Sequence, residues 1–527
     1  MNEKGLNPQA DSGKIDVDSL EAKEKINTYL AENLPVSEVR IAEKMDPECR
    51  VCVVIPCYGE RSWVLRPLGS LAQQEGVKPE QFEAIFVINN PREKFVQDAN
   101  ETDEDYERRI AKQPQRFRDN KQVMKLFDSI KNGSSNGIRQ EERKIVEHIR
   151  ESGIKFHIID KSTPGKELPD RDANVGGARN RGVAEAVERF LSIERNGIIA
   201  QTDADTKLST NYVAKLIETF DNNPELVGMA GNLGFEAIKG KEGLPHEYVL
   251  QEEMRWVYKN ARDDFLEREK NITEGLAPGS PVIPFSGANM ASRAYESALA
   301  GGIPKIAGGE DPAFGRNVAK IGIVARIPEI ITYPADRQSE RTTTGHGLTR
   351  IKIRKNLSEK GGVQVEDFEM TKFNLAQRQQ IERLIEEQNI SIETLRPLFL
   401  LKGEQLIDDD QINVVVEYFK GLKKLPTQEE ISQKRPIMKI AKAMKSQISK
   451  LCPEVSLPEA INRLLDEFLK DPLLAEKYKV AFAEYERKLR EIELSGKESE
   501  KIPAGSDALR PAFIAANVMR NILENKE

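Results

Sequence analysis

Gly197-Ile198-Ile199-Ala200-Gln201-Thr202-Asp203-Ala204-Asp205 is the stretch on which the reading of this chain turns. Its apolar half reads as a strand buried in a parallel sheet, and two carboxylates follow directly. In extended chain, positions i and i+2 point the same way, so Asp203 and Asp205 repel unless a cation lies between them. Oxygen-only ligation suits Mg2+ or Mn2+, with a substrate diphosphate completing the shell. The competing reading is a polar turn in which Asp205 caps a helix at Ser209-Thr210-Asn211.

Working outward, Val51-Cys52-Val53-Val54-Ile55 is a second buried strand, stopped by Pro56, and Phe82 to Ile88 a third, ending at Asn89-Asn90-Pro91. Lys155 to Ile159 reads as another strand. Helical patterns occupy 62–75 and 177–194 between them, and later 245–274 and 312–321. Pro281 to Asn289 reads as extended and Ile323 to Ile331 as a further strand. Strands alternating with helices argue for an α/β sheet wound in βαβ units. In such sheets ligands bind beyond the carboxyl ends of the strands. Four segments then share one edge: Pro56-Cys57-Tyr58-Gly59-Glu60, Asn89-Asn90, Asp172 to Arg181, and Asp203-Ala204-Asp205.

Three further segments carry chemistry. Asn174-Val175-Gly176-Gly177-Ala178-Arg179-Asn180-Arg181-Gly182 opens a helix, whose start favours negative groups, and Arg179 suits phosphate oxygens. The alternative is that Gly176 and Gly177 only let the helix lie close to the sheet. Gly308-Gly309-Glu310-Asp311-Pro312 places Asp311 as N-cap with Pro312 at the first helical position. A carboxylate fixed there, Glu310 or Asp311, is also a good general base. His346, between Gly345 and Gly347, is either a third metal ligand or an exposed loop histidine, and Arg337 and Arg341 lie near enough in sequence to meet a diphosphate. His148 and His246 read as solvated positions and His157 as a strand position.

The bulk properties set limits. At 527 residues the chain is expected to hold two to four domains. A net charge of −7 with no long basic run gives no reason to expect nucleic acid as partner. Four cysteines (Cys49, Cys52, Cys57, Cys452) form no even framework, which points to a reducing, cytoplasmic compartment. Cys49-x-x-Cys52 has no second pair and reads as part of a buried strand. No run of about 18 apolar residues suggests a membrane span, while a peripheral membrane contact stays open. Residues 1–18 read as disordered and 19–45 as a helical extension. Domain expectations are therefore 1–49 as tail and extension, 50–373 as an α/β domain with a charged helical insertion at about 92–150, and 374–527 as an α-helical region.

Taken together, these motifs resemble the family 2 glycosyltransferases, which have the GT-A fold. The points of resemblance are Pro56-Cys57-Tyr58-Gly59-Glu60 after the first strand, the glycine-rich Asn174 to Gly182, the D-x-D at Asp203-Ala204-Asp205, the acceptor-side strand at Ser286 to Arg293, and the Glu310-Asp311 pair. The resemblance covers roughly residues 50–350. It implies a nucleotide-sugar donor held by Pro56, Tyr58, Glu60, Asn89, Asn90, Asn174, Gly177, Arg179, Asp203 and Arg341. It implies Mn2+ or Mg2+ at Asp203 and Asp205 with His346, an acceptor near Gly287 and Asn289, and Asp311 or Glu310 as base in an inverting transfer. Two departures stand out: Asn89-Asn90 occupies the place of the family's usual Asp, and 92–150 and 375–527 have no counterpart in the minimal domain. The acceptor is a carbohydrate, a lipid or a small molecule. The rival readings are a retaining GT-A enzyme, a sugar-1-phosphate nucleotidyltransferase, which Pro-Cys-Tyr-Gly-Glu argues against, and a non-catalytic nucleotide-sugar-binding interaction protein.

Overall fold

The computed structural model describes residues 16–90, 111, 113–234, 285–306, 308–335, 364–365, 368–423, 434–452 and 455–456. The chain divides into two compact units. The first holds β1 (Val51–Cys57), β2 (Phe82–Asn89), β3 (Lys155–Lys161), β4 (Ile198–Gln201), β5 (Thr206–Leu208), β6 (Leu226–Leu233), β7 (Met290–Arg293) and β8 (Ile323–Pro334). They form one sheet in the order β3-β2-β1-β4-β7-β6-β8-β5. The strands β3, β2, β1 and β4 run parallel, and β7 is antiparallel to both its neighbours. The mainly parallel α/β sheet expected from the sequence is observed.

The apolar runs explain this arrangement. Val51, Val53, Ile55 and Cys57 face one side of β1 and Cys52 and Val54 the other, and all are buried. Both faces are covered, so the strand needs no polar side. One face packs against α1 (Leu20–Asn33), α5 (Val175–Ser192), α7 (Ala294–Leu299) and α8 (Glu310–Ile321). The other packs against α2 (Leu65–Leu71), α3 (Gln113–Lys131), α4 (Arg143–Glu151) and α6 (Tyr212–Asn222). Pro56 does not stop β1, which pairs on to Cys57; a proline near the strand end forfeits a single ladder hydrogen bond.

The described part of the expected insertion at 92–150 is instead the crossover from β2 to β3. Val123, Leu126, Phe127 and Ile130 of α3 and Val146 and Ile149 of α4 are buried against the sheet. Their i, i+3, i+4, i+7 spacing gives α3 one continuous apolar stripe. Residues 19–45 are likewise built in. Ile26 and Tyr29 of α1 enter the core, the Tyr29 hydroxyl donates to Asn180 Oδ1 at 2.9 Å, and Lys161 Nζ donates to Glu38 at 2.6 Å.

The second unit has its own apolar core, including Ile385, Leu395, Leu406, Ile412 and Phe419. Its helices are α9 (Phe368–Glu386), α10 (Ile392–Leu395), α11 (Asp409–Phe419) and α12 (Arg435–Leu451). The helix α9 runs through the border expected at 373/374 and lies in this unit. No helix of the described residues is long and apolar enough to cross a membrane.

Candidate active site

The strand order reverses at β1: β2 and β3 lie to one side and β4 to the other. A crevice opens outside the carboxyl ends of strands at such a switch point. Tyr58 follows β1 there and Asp203 follows β4. Because β7 is antiparallel, its amino end comes to the same edge and brings Gly287 and Asn289 with it. Thr202 of the β4 end and Thr332 of β8 both donate hydroxyls to the Ala288 carbonyl, each at 3.0 Å, and so fix that turn.

Arg179 organises the cluster. It lies in the second turn of α5 and is 2% exposed. Its Nη2 donates to Asp203 Oδ1, and its Nε lies 3.4 Å from Glu310 Oε1. The Nη1 is buried with no hydrogen-bond partner among the described residues. Gly287 is bare where the guanidinium passes, since a Cβ there would stand 2.2 Å from Nη2. The Gly287 N–H donates to Asp311 Oδ2 at 2.7 Å. Segments from a strand end, two helix starts and a turn thus meet within a few bonds of one guanidinium.

The electrostatics follow from that crowding. Burial pushes the Glu310 carboxyl up to about 7, Asp311 beside it adds to this, and Arg179 offsets part. Asp203 is also raised: burial pushes it up, Arg179 pulls it down, and Asp205 and Asp311 push it up again. Its side chain is 43% exposed, so solvent screens much of the burial contribution, and repulsion from the neighbouring carboxylates is the cause that stands. Burial works against the charge of Arg179, but Asp203, Glu310 and Asp311 together hold it firmly protonated. Arg179 therefore faces three carboxylates at once. Asp203 and Asp205 offer oxygen ligands of the kind a hard divalent ion takes. Among the described residues no three His, Cys, Asp or Glu side chains converge as a metal-binding set. His346, Arg341 and Arg337 lie outside the described residues.

Solved structures similar to this chain include TarS of S. aureus and a mannosyltransferase. TarS of S. aureus is 11% identical, with a TM-score of 0.32 over 75% of this chain and 55% of that chain. TarS 1–349 in complex with UDP-GlcNAc is 12% identical, with a TM-score of 0.30 over 76% and 84%. A mannosyltransferase of Pyrobaculum calidifontis, PcManGT, in complex with GDP-Man and Mn2+, is 13% identical, with a TM-score of 0.29 over 81% and 95%. The chain thus spans about half the length of the first of these. No family model matches the chain, and no curated protein matches it.

The geometry alters several sequence expectations. Asp203 and Asp205 do not continue an extended strand, because the Thr206 N–H closes a turn on the Asp203 carbonyl at 3.1 Å and leads into β5. Asp205 therefore caps no helix; α6 begins after Asn211. Asp311 is not the N-cap of α8. Gly309, at φ +79°, holds that place, which frees the Asp311 carboxylate for Gly287. Arg179 meets carboxylates in this structure, where phosphate had been expected. Asn174 caps α5 through Gly177 N–H at 2.9 Å, and its amide also donates to the Arg171 and Lys305 carbonyls. The polar atoms of Asn174 and the backbone of Gly177 are thus engaged by the fold. Asn289 is fully buried, and its Nδ2 donates to the Asn232 and Ile330 carbonyls, tying β6 and β8 together. Cys49 and Cys52 are both buried, Cys52 within β1 and Cys49 two residues before it.

Pro56, Tyr58, Asn89 and Asn90 do come to one edge, at the ends of β1 and β2, with Glu60 buried just beyond. Two neighbours of theirs escaped the sequence reading, Arg116 and Asn120 of α3. The apolar stripe of α3 was the available signal, for positions 116 and 120 lie on the face that 123 and 127 continue.

Proposed function

We propose that the chain is a metal-dependent glycosyltransferase that moves a sugar from a nucleoside-diphosphate sugar to an acceptor hydroxyl, with inversion. The observation that carries this reading is the buried Arg179, joined to Asp203 on one side and Glu310 on the other, with Asp311 held by Gly287 beside them. These carboxylates come from distant segments and gather at the switch point around one guanidinium.

Asp203 and Asp205 would hold the divalent cation, which when bound offsets the charge of the leaving diphosphate. The roles of Glu310 and Asp311 separate. Glu310 is 6% exposed and lies against Arg179, so it positions the guanidinium. Asp311 is half-buried, and the Gly287 N–H holds its Oδ2, leaving Oδ1 to take the acceptor's proton. The acceptor oxygen forms its bond to the anomeric carbon as the bond to the diphosphate oxygen breaks, and the electron pair leaves with the diphosphate. The proton ends on Asp311.

A thermal-shift screen of nucleotide sugars, with and without Mn2+, tests this. A metal-dependent shift is expected with at least one donor, and Asp205→Ala should abolish it. Asp311→Asn should keep the shift while turnover of the same donor falls by about 100-fold or more. The reading fails if no donor gives a metal-dependent shift, and the metal assignment fails if Asp205→Ala retains it in full.

A further inference from the structure

Asn120 of α3 is completely buried at the carboxyl edge of the sheet. Its Oδ1 accepts from the Gly59 N–H at 2.8 Å, and its Nδ2 donates to the Asn89 carbonyl at 2.8 Å and to Asn90 Oδ1 at 2.7 Å. Asn90 in turn donates to the Ser162 carbonyl at 2.8 Å. One side chain thus ties the ends of β1 and β2, and through Asn90 that of β3. The amide cannot turn over, because that would set its NH2 against a backbone N–H and its oxygen against two acceptors.

Arg116 lies one helical turn earlier on the same face. Its Cγ packs against Gly59, where a Cβ would stand 2.8 Å away, and Gly59 has φ +68°, a conformation that side chains disfavour. Its guanidinium carbon sits 5.5 Å from the centre of the Tyr58 ring. Two polar atoms here are buried without a hydrogen-bond partner among the described residues, Arg116 Nη1 and Asn89 Oδ1. Arg116 is 7% exposed and Asn89 4%. Buried donors and acceptors are nearly always paired, so an unpaired donor and an unpaired acceptor at a ligand edge point to a ligand that supplies both. The edge of a nucleotide base offers an acceptor and a donor side by side.

We propose that Arg116 and Asn120 form the base side of the donor site. Asn120 is a positioning residue that holds the Tyr58-Gly59 turn and the Asn89-Asn90 pair in place. Arg116 and Asn89 present a donor and an acceptor to the base. This rests on the nucleotide-sugar reading above, but assigns the work to the helix that crosses from β2 to β3.

Binding of UDP and of GDP, each with Mn2+, measured by titration calorimetry on the full chain, tests it. Asn120→Ala is expected to weaken the nucleotide that binds by about tenfold or more. Asn120→Asp should weaken it further, since a carboxylate oxygen would face two acceptors. With the matching sugar donor, KM should rise while kcat stays within about threefold, because the base lies remote from the reacting carbon. A purely structural role would lower both folding and kcat. Arg116→Met keeps the aliphatic stem against Gly59 and removes the guanidinium, so it serves if Asn120→Ala does not fold, and a similar loss of affinity is expected. Wild-type affinity in whichever variants fold overturns this inference and leaves the proposed function standing. If the wild-type chain binds neither of these nor any other nucleoside diphosphate, the proposed function fails and this falls with it.

Discussion

Arg179 is surrounded by carboxylates that it cannot all neutralise, and Glu310 bears the consequence. A buried carboxyl that ionises at about 7 in the folded chain, against 4.5 as its ordinary value, binds its proton more tightly when folded. Its stabilising contribution is fully present below pH 4.5 and is lost as the pH rises through 7. Glu310→Gln removes that dependence, because an amide needs no proton to stay neutral. In metal-free buffer the melting temperature of the variant, relative to wild type, should be higher at pH 8 than at pH 5. A difference that stays constant across that range would show that Glu310 ionises normally in the fold. Glu310-Asp311 and Asp203-Ala204-Asp205 were legible in the sequence because each is a local pattern beside a strand or helix boundary. The task of Arg179 was not. Its partners lie far along the chain, and a guanidinium reads equally well as a phosphate ligand until the fold shows which anions it meets.

At the scale of elements, the site depends on a turn as much as on charged side chains. Gly287 serves two purposes, leaving space for Arg179 and holding Asp311 through its N–H. A methyl group there would overlap Nη2, and both partners are fixed by other contacts. Gly287→Ala should therefore destabilise the chain by about 1–3 kcal/mol, the usual cost of overpacking. It should also lower kcat, because the guanidinium and Asp311 are displaced together. Chemical denaturation and turnover with the donor found by screening would measure the two effects, and unchanged stability would show that the turn relaxes freely. The strands of the parallel half were legible because each is a continuous apolar run. The crossover helix α3 was not, because its charged outer face dominates the composition of its segment. Its buried stripe of Val123, Leu126, Phe127 and Ile130 is visible only when residues are taken by helical position.

At the scale of the whole molecule, the chain divides into two compact units, and among the described residues each has buried apolar side chains of its own. Ile412 of α11 is fully buried in the second, among Ile385, Leu395 and Phe419, while every proposed site residue that is described belongs to the first unit. Cores of this kind commonly unfold in separate steps, so a single melting temperature does not describe such a chain. Ile412→Ala removes buried methyl groups and should cost about 2–5 kcal/mol locally. For a unit of about 200 residues, that lowers its own transition by roughly 4–20 °C. The transition of the first unit, and the affinity for a nucleoside diphosphate with Mn2+, should stay as in wild type. Calorimetry scanned with and without the nucleotide separates the two, because the ligand raises only the transition of the unit that binds it. If Ile412→Ala moved both transitions and weakened nucleotide binding together, the second core would be a structural support of the site, and its distinct helical pattern in the sequence would mark no energetic boundary.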